Sequence, residues 1–485
     1  MSTALVHPLI IQGGMGVGIS DWRLARAVSK CGQLGVVSGT ALDSVLVRRL
    51  QDGDIGGHVR RAMEKFPFPE VSADVLRRYF LPEGRSGAPY KALPMYKQVV
   101  SKARQQLTVL ANFVEVHLAR EGHGGRVGVN LLTKIQMPTL ASLYGAMLAG
   151  VDYVLMGAGI PKEIPGVLDR FAAHEPASIR FDVEGDRGGE AEYLQFDPRT
   201  FLDRSAPELV RPQFLAIVAS DSLATMLARK ANGRVDGFVI EGPTAGGHNA
   251  PPRGTPVLNE RGEPVYGERD VADLEKVRAL GVPFWLAGGM GSPGQLGEAL
   301  AAGAAGIQVG TLFAYCAESG MQPDHRRQVL AKLRQGPVDV FTDPLASPTG
   351  FPFKVVALEG SLSDAAVYHA RERVCDLGYL RNAYRMPNGR IGYRCPAEPV
   401  DTYVAKGGSR EDTVGRKCLC NALMADIGLG QVREGGEVEP PLLTSGEELQ
   451  GVADLLGGRV EYAAADVVAH LLAGCPSDSG IATLA

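Results

Sequence analysis

The stretch FWLAGGMGSPGQLGEALAAGAAGIQVGT, residues 284–311, contains a complete strand–helix–strand unit. An apolar run, FWLA, leads into paired glycines, and SPGQLGEALAA then has the spacing of an amphipathic helix. Ser292 is its predicted N-cap and Gly303 its stop. A second apolar run, GIQV, ends in Gly310 and Thr311. Short apolar runs that alternate with helices are typical of a parallel sheet.

Six further runs of the same character lie N-terminal to this unit. The eight predicted strands are residues 9–12, 34–38, 127–131, 153–156, 214–218, 237–241, 284–287 and 306–309. Eight strands with helices between them predict an α/β fold of the (β/α)8 TIM-barrel class. An open doubly wound sheet is the alternative, because it also alternates strands and helices. The count of eight and the glycines at the strand ends favour the barrel.

Two connections are longer than a crossover requires. One insertion covers about residues 45–125 and includes a predicted helix over 99–119; the other covers 161–212, where SIRFDVEG predicts an added hairpin. The barrel with its insertions is predicted to span residues 1–336, and residues 337–485 form a C-terminal extension packed on it. Barrel enzymes keep their sites at the C-terminal ends of the strands, so we expect the insertions to shape a substrate pocket.

Composition excludes several classes of function. The 485 residues include 50 Lys and Arg and 54 Asp and Glu, which gives a formal net charge of −4. This charge balance does not favour a nucleic-acid partner. No targeting pattern begins the chain and no apolar window reaches ~18 residues, so we expect a cytoplasmic protein without a membrane anchor. Seven cysteines, an odd number, argue against a disulfide framework. The oligomeric state is left open.

The loops after strands seven and eight are candidates for an anion site. Gly288 and Gly289 follow strand seven, and Gly310 and Thr311 follow strand eight. In (β/α)8 enzymes these two loops commonly form a phosphate cradle, because unpaired backbone amides and a helix N-terminus attract an anion. We therefore predict that a cofactor phosphate binds here.

The segment EGPTAGGHNAP after strand six carries the candidate catalytic side chain, His248. An imidazole changes its charge near neutral pH, so it can exchange a proton or hydrogen-bond a negative substrate. Strand six delivers Glu241, and Gly246 and Gly247 would let the chain pass close to a planar cofactor. The sequence therefore predicts a histidine at the mouth of the barrel, facing a bound ring.

Strand one ends in a glycine-rich loop that contains Gly14, Met15 and Gly16. A Rossmann dinucleotide site would need an acidic residue about 20 positions further on, and residues 37–41 offer none. The loop is therefore predicted to line one face of the cofactor. Asn130, a polar residue at the end of the apolar strand three, is predicted to face a ligand as well.

The segments PLIIQGGMG, GVNLL, EGPTAGGH, LAGGM and GIQVGTLF, in this order and spacing, resemble the nitronate monooxygenase family, once called 2-nitropropane dioxygenases. The resemblance covers most of residues 8–315. The family is similar to flavin-dependent enoyl-acyl-carrier-protein reductases and to some NADH:quinone reductases, and it implies FMN as cofactor. By position, the resemblance implies an isoalloxazine site at Gly14, Met15, Gly16, Asn130, Glu241, Gly246 and Gly247, a phosphate site at Gly288, Gly289, Gly310 and Thr311, and a catalytic His248.

The activity implied by the resemblance is oxidation of alkyl nitronates with O2, with His248 binding the nitro group of the small-molecule substrate. This chain has QGGM where family members commonly have QAPM, and GGHNA where they commonly have GGHRG. These differences affect the expected substrate more than the expected cofactor. One alternative is an NAD(P)H-dependent reductase of enoyl thioesters or quinones whose insertions receive an acyl carrier protein. Another is a flavin-binding assembly subunit with low turnover.

Four cysteines cluster within the C-terminal extension, at Cys375, Cys395, Cys418 and Cys420. Four thiolates are a complete ligand set for structural zinc or for an iron–sulfur cluster. Their spacing is not a standard one, and buried free thiols behave as small apolar side chains. Free thiols are therefore the preferred interpretation, with a metal site as the alternative.

Overall fold

The computed structural model describes residues 7–185, 191–201 and 207–474, and its centre is a parallel barrel. The eight strands are β1 Ile10–Gln12, β2 Gly35–Ser38, β3 Val127–Leu132, β4 Tyr153–Gly157, β5 Gln213–Val218, β6 Gly237–Glu241, β7 Phe284–Ala287 and β8 Gly306–Val309. Their spatial order is β1-β8-β7-β6-β5-β4-β3-β2. A parallel bridge from Ile11 to Leu34 joins the two ends. The (β/α)8 prediction is confirmed, with every strand within one residue of its predicted bounds.

The interior of the barrel is filled by alternate residues of the strands. These side chains form one buried cluster, which includes Ile11, Val36, Tyr153, Leu155, Leu215, Ile217, Val239, Trp285 and Ala287. Because side chains alternate between the two faces of a strand, Asn130, Glu241 and Gln308 share the inward-facing parity. They stand at the C-terminal ends of their strands. The alternation of side chains along each strand thus directs these three polar side chains toward the mouth of the barrel.

Helices cover the outside of the barrel. The crossovers use helices Trp22–Lys30, Lys102–Arg120, Thr139–Leu148, Ile164–Ala172, Asp221–Lys230, Leu274–Arg278 and Gln295–Ala301, and β8 is followed by Thr311–Ala314 and Pro323–Leu333. The prediction that Ser292 caps its helix was wrong. That helix begins at Gln295, because Gly294 takes a φ of +97° and so interrupts helical geometry before it.

The first insertion is helical. It adds helices Leu42–Gln51, His58–Met63 and Pro69–Tyr79, and the helix predicted over 99–119 is Lys102–Arg120. In the second insertion, strand Ala177–Arg180 pairs antiparallel with Tyr193–Phe196, so an antiparallel pair is present but its second strand lies outside the predicted stretch. The rest of the predicted SIRFDVEG stretch pairs elsewhere: Val183–Glu184 lies parallel to Asn382–Arg385 of the C-terminal region. Short 3-10 turns lie at Pro198–Thr200 and Glu268–Asp270.

The C-terminal region lies against the barrel and over its mouth. It contains antiparallel pairs Val340–Asp343 with Phe353–Val356 and Asn382–Arg385 with Ile391–Arg394, helices Ala365–Ala370, Val400–Ala405, Leu419–Asp426, Leu449–Leu456 and Ala464–Leu472, and the 3-10 turn Glu411–Thr413. Tyr462 donates a hydrogen bond to the Leu312 carbonyl, 2.7 Å away, just beyond β8. The boundary near residue 337 stays a prediction. Across the described ranges, no helix is both long and apolar enough to cross a membrane.

Candidate active site

A cavity of about 1500 Å³ opens at the C-terminal mouth of the barrel. All twelve residues that the sequence assigned to the catalytic and cofactor sites line it, namely Gly14, Met15, Gly16, Asn130, Glu241, Gly246, Gly247, His248, Gly288, Gly289, Gly310 and Thr311. The fold thus brings the loops after β1, β6, β7 and β8 to one site.

Asn130 and Gly14 contact each other at one wall of this cavity. Asn130 Nδ2 donates to the Gly14 carbonyl at 3.0 Å, whereas its buried Oδ1 has no hydrogen-bond partner among the described residues. A Cβ on Gly14 would lie 2.3 Å from the Asn130 Cβ, so only glycine fits there. Gln308 in β8 likewise presents a buried Oε1 without a partner in the described part of the chain. Buried polar atoms are usually paired, so both indicate a polar ligand.

Glu241 ends β6 and borders the cavity. Burial raises the pKa of its carboxyl to about 7. Its side chain has access to the cavity rather than to bulk water, and a low-dielectric surrounding disfavours the charged form. Near neutral pH this carboxyl therefore exchanges between its acid and its anion.

His248 also lines the cavity, in the loop after β6. Its ring packs edge-on against Phe353, with centroids 4.8 Å apart, and against Phe351 at 6.4 Å. Burial first, and then the Lys134 ammonium, lower the pKa of His248 to about 4. The imidazole is therefore neutral at physiological pH, with one nitrogen as donor and the other as acceptor.

Ser347 of the C-terminal region holds the His248 ring in place. Its Oγ lies 2.7 Å from His248 Nε2 and accepts the Thr349 amide at 3.2 Å. The backbone on both sides of His248 is tied as well, since Lys354 N donates to Gly247 O and Asn249 N donates to Pro352 O. The sequence did not indicate these contacts, because nearly a hundred residues separate the partners.

Residues 444–448 close another side of the cavity. Thr444 Oγ1 accepts the Gly247 amide, and Thr311 Oγ1 accepts the Gly446 amide, both at 2.9 Å. Glu447 pairs with the fully buried Lys354, whose Nζ lies 2.5 Å from Glu447 Oε1. The C-terminal region is therefore part of the cavity wall, which sequence reasoning missed.

Glu448 stands at the predicted phosphate loop. Its Oε2 accepts the Gly291 amide at 3.3 Å, and its Oε1 lies 2.8 Å from where a Cβ on Gly289 would be. Gly289 has a φ of +74°, and because it lacks a Cβ the carboxylate can approach it closely. Burial, with a further contribution from Glu447, raises the pKa of Glu448. The loop thus already binds a carboxyl group of the protein.

A second cavity, of about 1020 Å³, adjoins the first. His248 and Glu241 line both, and the outer cavity extends to Arg253, Tyr266 and Asp270. The histidine therefore stands between an inner chamber formed by the glycine loops and this outer one.

The family model described as nitronate monooxygenase matches residues 205–338, which include β5 to β8 and the His248 loop. The match covers a little over a quarter of the chain. Over residues 205–338 the match confirms the family resemblance of the motifs.

Several known proteins are similar to this chain. A probable nitronate monooxygenase of Bacillus subtilis (strain 168) is 36% identical over 96 residues, which are 20% of this chain and 26% of the relative. FabK from Thermotoga maritima is 16% identical, with 96% of this chain and 92% of that chain covered and a TM-score of 0.44. A nitroalkane oxidase from Streptomyces ansochromogenes is 17% identical, with 97% and 96% covered and a TM-score of 0.44. The match spans about a quarter of the curated relative's length, and the two structural similarities are too weak to indicate a function.

Proposed function

We propose that this protein is a flavin-dependent oxidoreductase that binds FMN in the inner cavity and oxidises alkyl nitronates with O2. The observation that carries the proposal is the position of His248, a neutral imidazole fixed by Ser347 at the wall of a glycine-lined cavity. The family match over residues 205–338 supports the reaction class.

The residues of the cavity fit a flavin. Asn130 Oδ1 and Gln308 Oε1 are buried oxygens without partners among the described residues, and a planar polar ring offers donors to such atoms. No atom lies within 4 Å of a Cβ built on Gly247, so this loop leaves open space on the cavity side. The amides after β7 and β8 would hold the phosphate, with Glu448 sharing or yielding the Gly291 amide.

A bound flavin supplies the redox chemistry, while the protein orients the substrate and sets its electrostatic surroundings. A nitronate is already an anion, so it needs a hydrogen-bond donor rather than a base. In the arrangement that we propose, Ser347 Oγ accepts the Thr349 amide and donates its own proton to His248 Nε2. His248 Nδ1 then carries the ring proton and donates a hydrogen bond to a nitro oxygen.

A second candidate is an NAD(P)H-dependent reductase of enoyl thioesters or quinones. The outer cavity favours it, because His248 and Glu241 border a second space beyond the inner chamber, into which a longer substrate would extend. His248 would then donate a hydrogen bond to the acceptor carbonyl. An acyl carrier protein as the bearer of such a thioester stays a prediction, as does the nicotinamide donor.

The test is anaerobic mixing of the FMN-loaded full chain with propyl nitronate, NADH or NADPH, while flavin absorbance is followed. We expect reduction by the nitronate in the wild type. His248→Ala should keep its flavin, measured by chromatography after denaturation, and lose turnover, because the histidine binds substrate rather than cofactor. Reduction by NAD(P)H alone, followed by reoxidation with an enoyl thioester or a quinone, would instead support the second candidate. Release of flavin from the histidine variant would contradict the assigned role.

A further inference from the structure

Among the described residues, Glu241 and His248 are the only titratable side chains that line both the inner and the outer cavity. Both nitrogens of the histidine are engaged under the proposed function. Its Nδ1 donates to a nitro oxygen, and its Nε2 lies 2.7 Å from the Ser347 hydroxyl. Burial also lowers the pKa of His248 to about 4, which makes it a weak base at neutral pH. His248 therefore binds the nitro group and leaves proton removal to another side chain.

The Glu241 carboxyl has no partner in the described part of the chain. No hydrogen bond and no ion pair reaches it, and burial alone shifts its pKa. Its backbone is held, because β6 pairs with β7 at Glu241 and Ala287 and the Gly242 amide donates to the Ala287 carbonyl at 2.8 Å. A carboxyl that is kept from bulk water is rarely left unpaired. A fixed backbone thus presents an unpaired carboxyl to both cavities.

The other titratable side chains at the two cavities are engaged or cannot accept a proton. Asp270 lines only the outer cavity and accepts two backbone amides, one on each carboxylate oxygen, at 2.8 Å. Glu448 lines only the inner cavity and accepts the Gly291 amide. The Tyr266 hydroxyl donates to a backbone carbonyl, and Arg253 has no acceptor atom. Glu241 is therefore the available proton acceptor among the described residues of the two cavities.

The four cysteines of the C-terminal region do not offer a base either. Cys375, Cys395, Cys418 and Cys420 line one small cavity that shares no lining residue with the two cavities of the barrel mouth. Burial raises the pKa of all four thiols, so they are protonated at neutral pH. In the described ranges, no group of three or more His, Cys, Asp or Glu side chains is arranged to hold a metal ion. The metal site that the sequence left as an alternative therefore has no support among these residues.

The surroundings of Glu241 suit a base. Burial raises its pKa from 4.5 to about 7, so its carboxylate holds a proton more strongly than an exposed one does. A general base is most efficient when its pKa lies near the working pH, because a large fraction is then ionised and its affinity for a proton is still high. Near neutral pH, Glu241 meets both conditions.

We propose that Glu241, rather than His248, is the base of this site and removes a proton from the carbon next to the nitro group of a neutral nitroalkane. The C–H bond breaks, and an O–H bond forms on the carboxylate. The electron pair of the C–H bond forms the C=N bond of the nitronate, and the negative charge moves to the nitro oxygens, where His248 donates its hydrogen bond. The inference rests on the proposed function, because the product is the nitronate that the flavin oxidises.

The electrostatics of the site favour this step. One negative charge is present before it, on Glu241, and one after it, on the nitronate. Two anions therefore never share the cavity, which avoids the repulsion between like charges that a buried site would strengthen. A nitronate that enters already formed needs the opposite state, with Glu241 protonated. The two substrates should consequently respond to pH in opposite directions.

The first experiment follows exchange of the α-protons of nitroethane for deuterium by NMR, with the FMN-loaded full chain in anaerobic D2O. We expect faster exchange than in buffer alone, because a base that removes a proton can return a deuteron. Glu241→Gln should lower the protein-catalysed rate about hundredfold, whereas Glu359→Gln, at an exposed glutamate, should keep it. Circular dichroism and flavin content are measured for each variant. No exchange above buffer, or exchange that His248→Ala abolishes and Glu241→Gln retains, would overturn the proposal.

The wild type alone provides a second test, which needs no variant to fold. With FMN in excess, kcat/KM for nitroethane should rise about tenfold from pH 6 to pH 8, because the ionised fraction of a group with a pKa of about 7 rises by that factor. For ethyl nitronate it should fall over the same range. A nitroethane rate that does not rise would overturn the proposal. Exchange that depends on Glu241 without flavin reduction by the nitronate would overturn only the proposed function, and reduction by the nitronate without exchange only this inference.

Discussion

Replacing Glu241 by glutamine should stabilise the flavin-free protein at pH 8 and change little at pH 4.5. The carboxyl ends β6 at the inner cavity, where burial raises its pKa from 4.5 to about 7. Glutamine keeps the shape of the side chain and cannot ionise. Any difference between the two proteins that depends on pH therefore reports the cost of charging this one buried group.

The sign and size follow from the two pKa values. Below pH 4.5 the carboxyl is protonated in the folded and the unfolded chain, so its ionisation contributes nothing there. Between pH 4.5 and 7 only the unfolded chain ionises, and the wild type loses stability at about 1.4 kcal/mol per pH unit. The shift of about 2.5 units therefore costs the wild type at most about 3 kcal/mol above pH 7. The variant avoids this loss.

The assay is urea unfolding of wild type and variant at pH 5, 6, 7 and 8, analysed as the difference between their free energies of unfolding. His248 titrates in both proteins, so its contribution cancels. Glu359→Gln, at an exposed glutamate, is the matched control and should show no trend. A constant difference from pH 5 to 8 would refute the reasoning, as would a variant that becomes relatively less stable toward pH 8.

Three further substitutions test the site. Ser347→Ala removes the partner of His248 Nε2, so we expect kcat to fall about tenfold with flavin content unchanged in chromatography; unchanged kcat would contradict the positioning role. Gly310→Leu should release FMN, because its Cβ would already lie 3.4 Å from Met15 Sδ, whereas Gly336→Leu, with nothing near its Cβ, should retain it in fluorescence titrations. Glu448→Gln should tighten FMN binding about tenfold at pH 8 and less at pH 5, because it removes an anion from the phosphate loop; equal titrations at both pH values would refute this.

Local sequence determined the barrel and the inner face of the site. Apolar runs of four to six residues identify strands because a parallel sheet is buried on both faces, and the period of two orients Asn130 and Glu241 inward. Glycines at strand ends mark loops where the backbone approaches a ligand. Polarity in a strand is ambiguous by itself. Gln12 also stands in an apolar run, yet it joins β1 to β2 by accepting the Val36 amide at 2.9 Å.

Only the tertiary structure decided what surrounds the strand ends and glycine loops of the site. Ser347 against His248, Glu448 at the Gly291 amide and the four cysteines around one cavity are contacts between distant parts of the chain. No local propensity specifies such contacts, since they depend on how the C-terminal region folds back over the barrel mouth. The sequence thus determined the barrel, because its strands follow from the pattern of apolar residues. It also determined the loops that the resemblance assigns to a flavin, because glycines mark them at the strand ends. The long-range packing decided how the histidine is held and where the thiols meet.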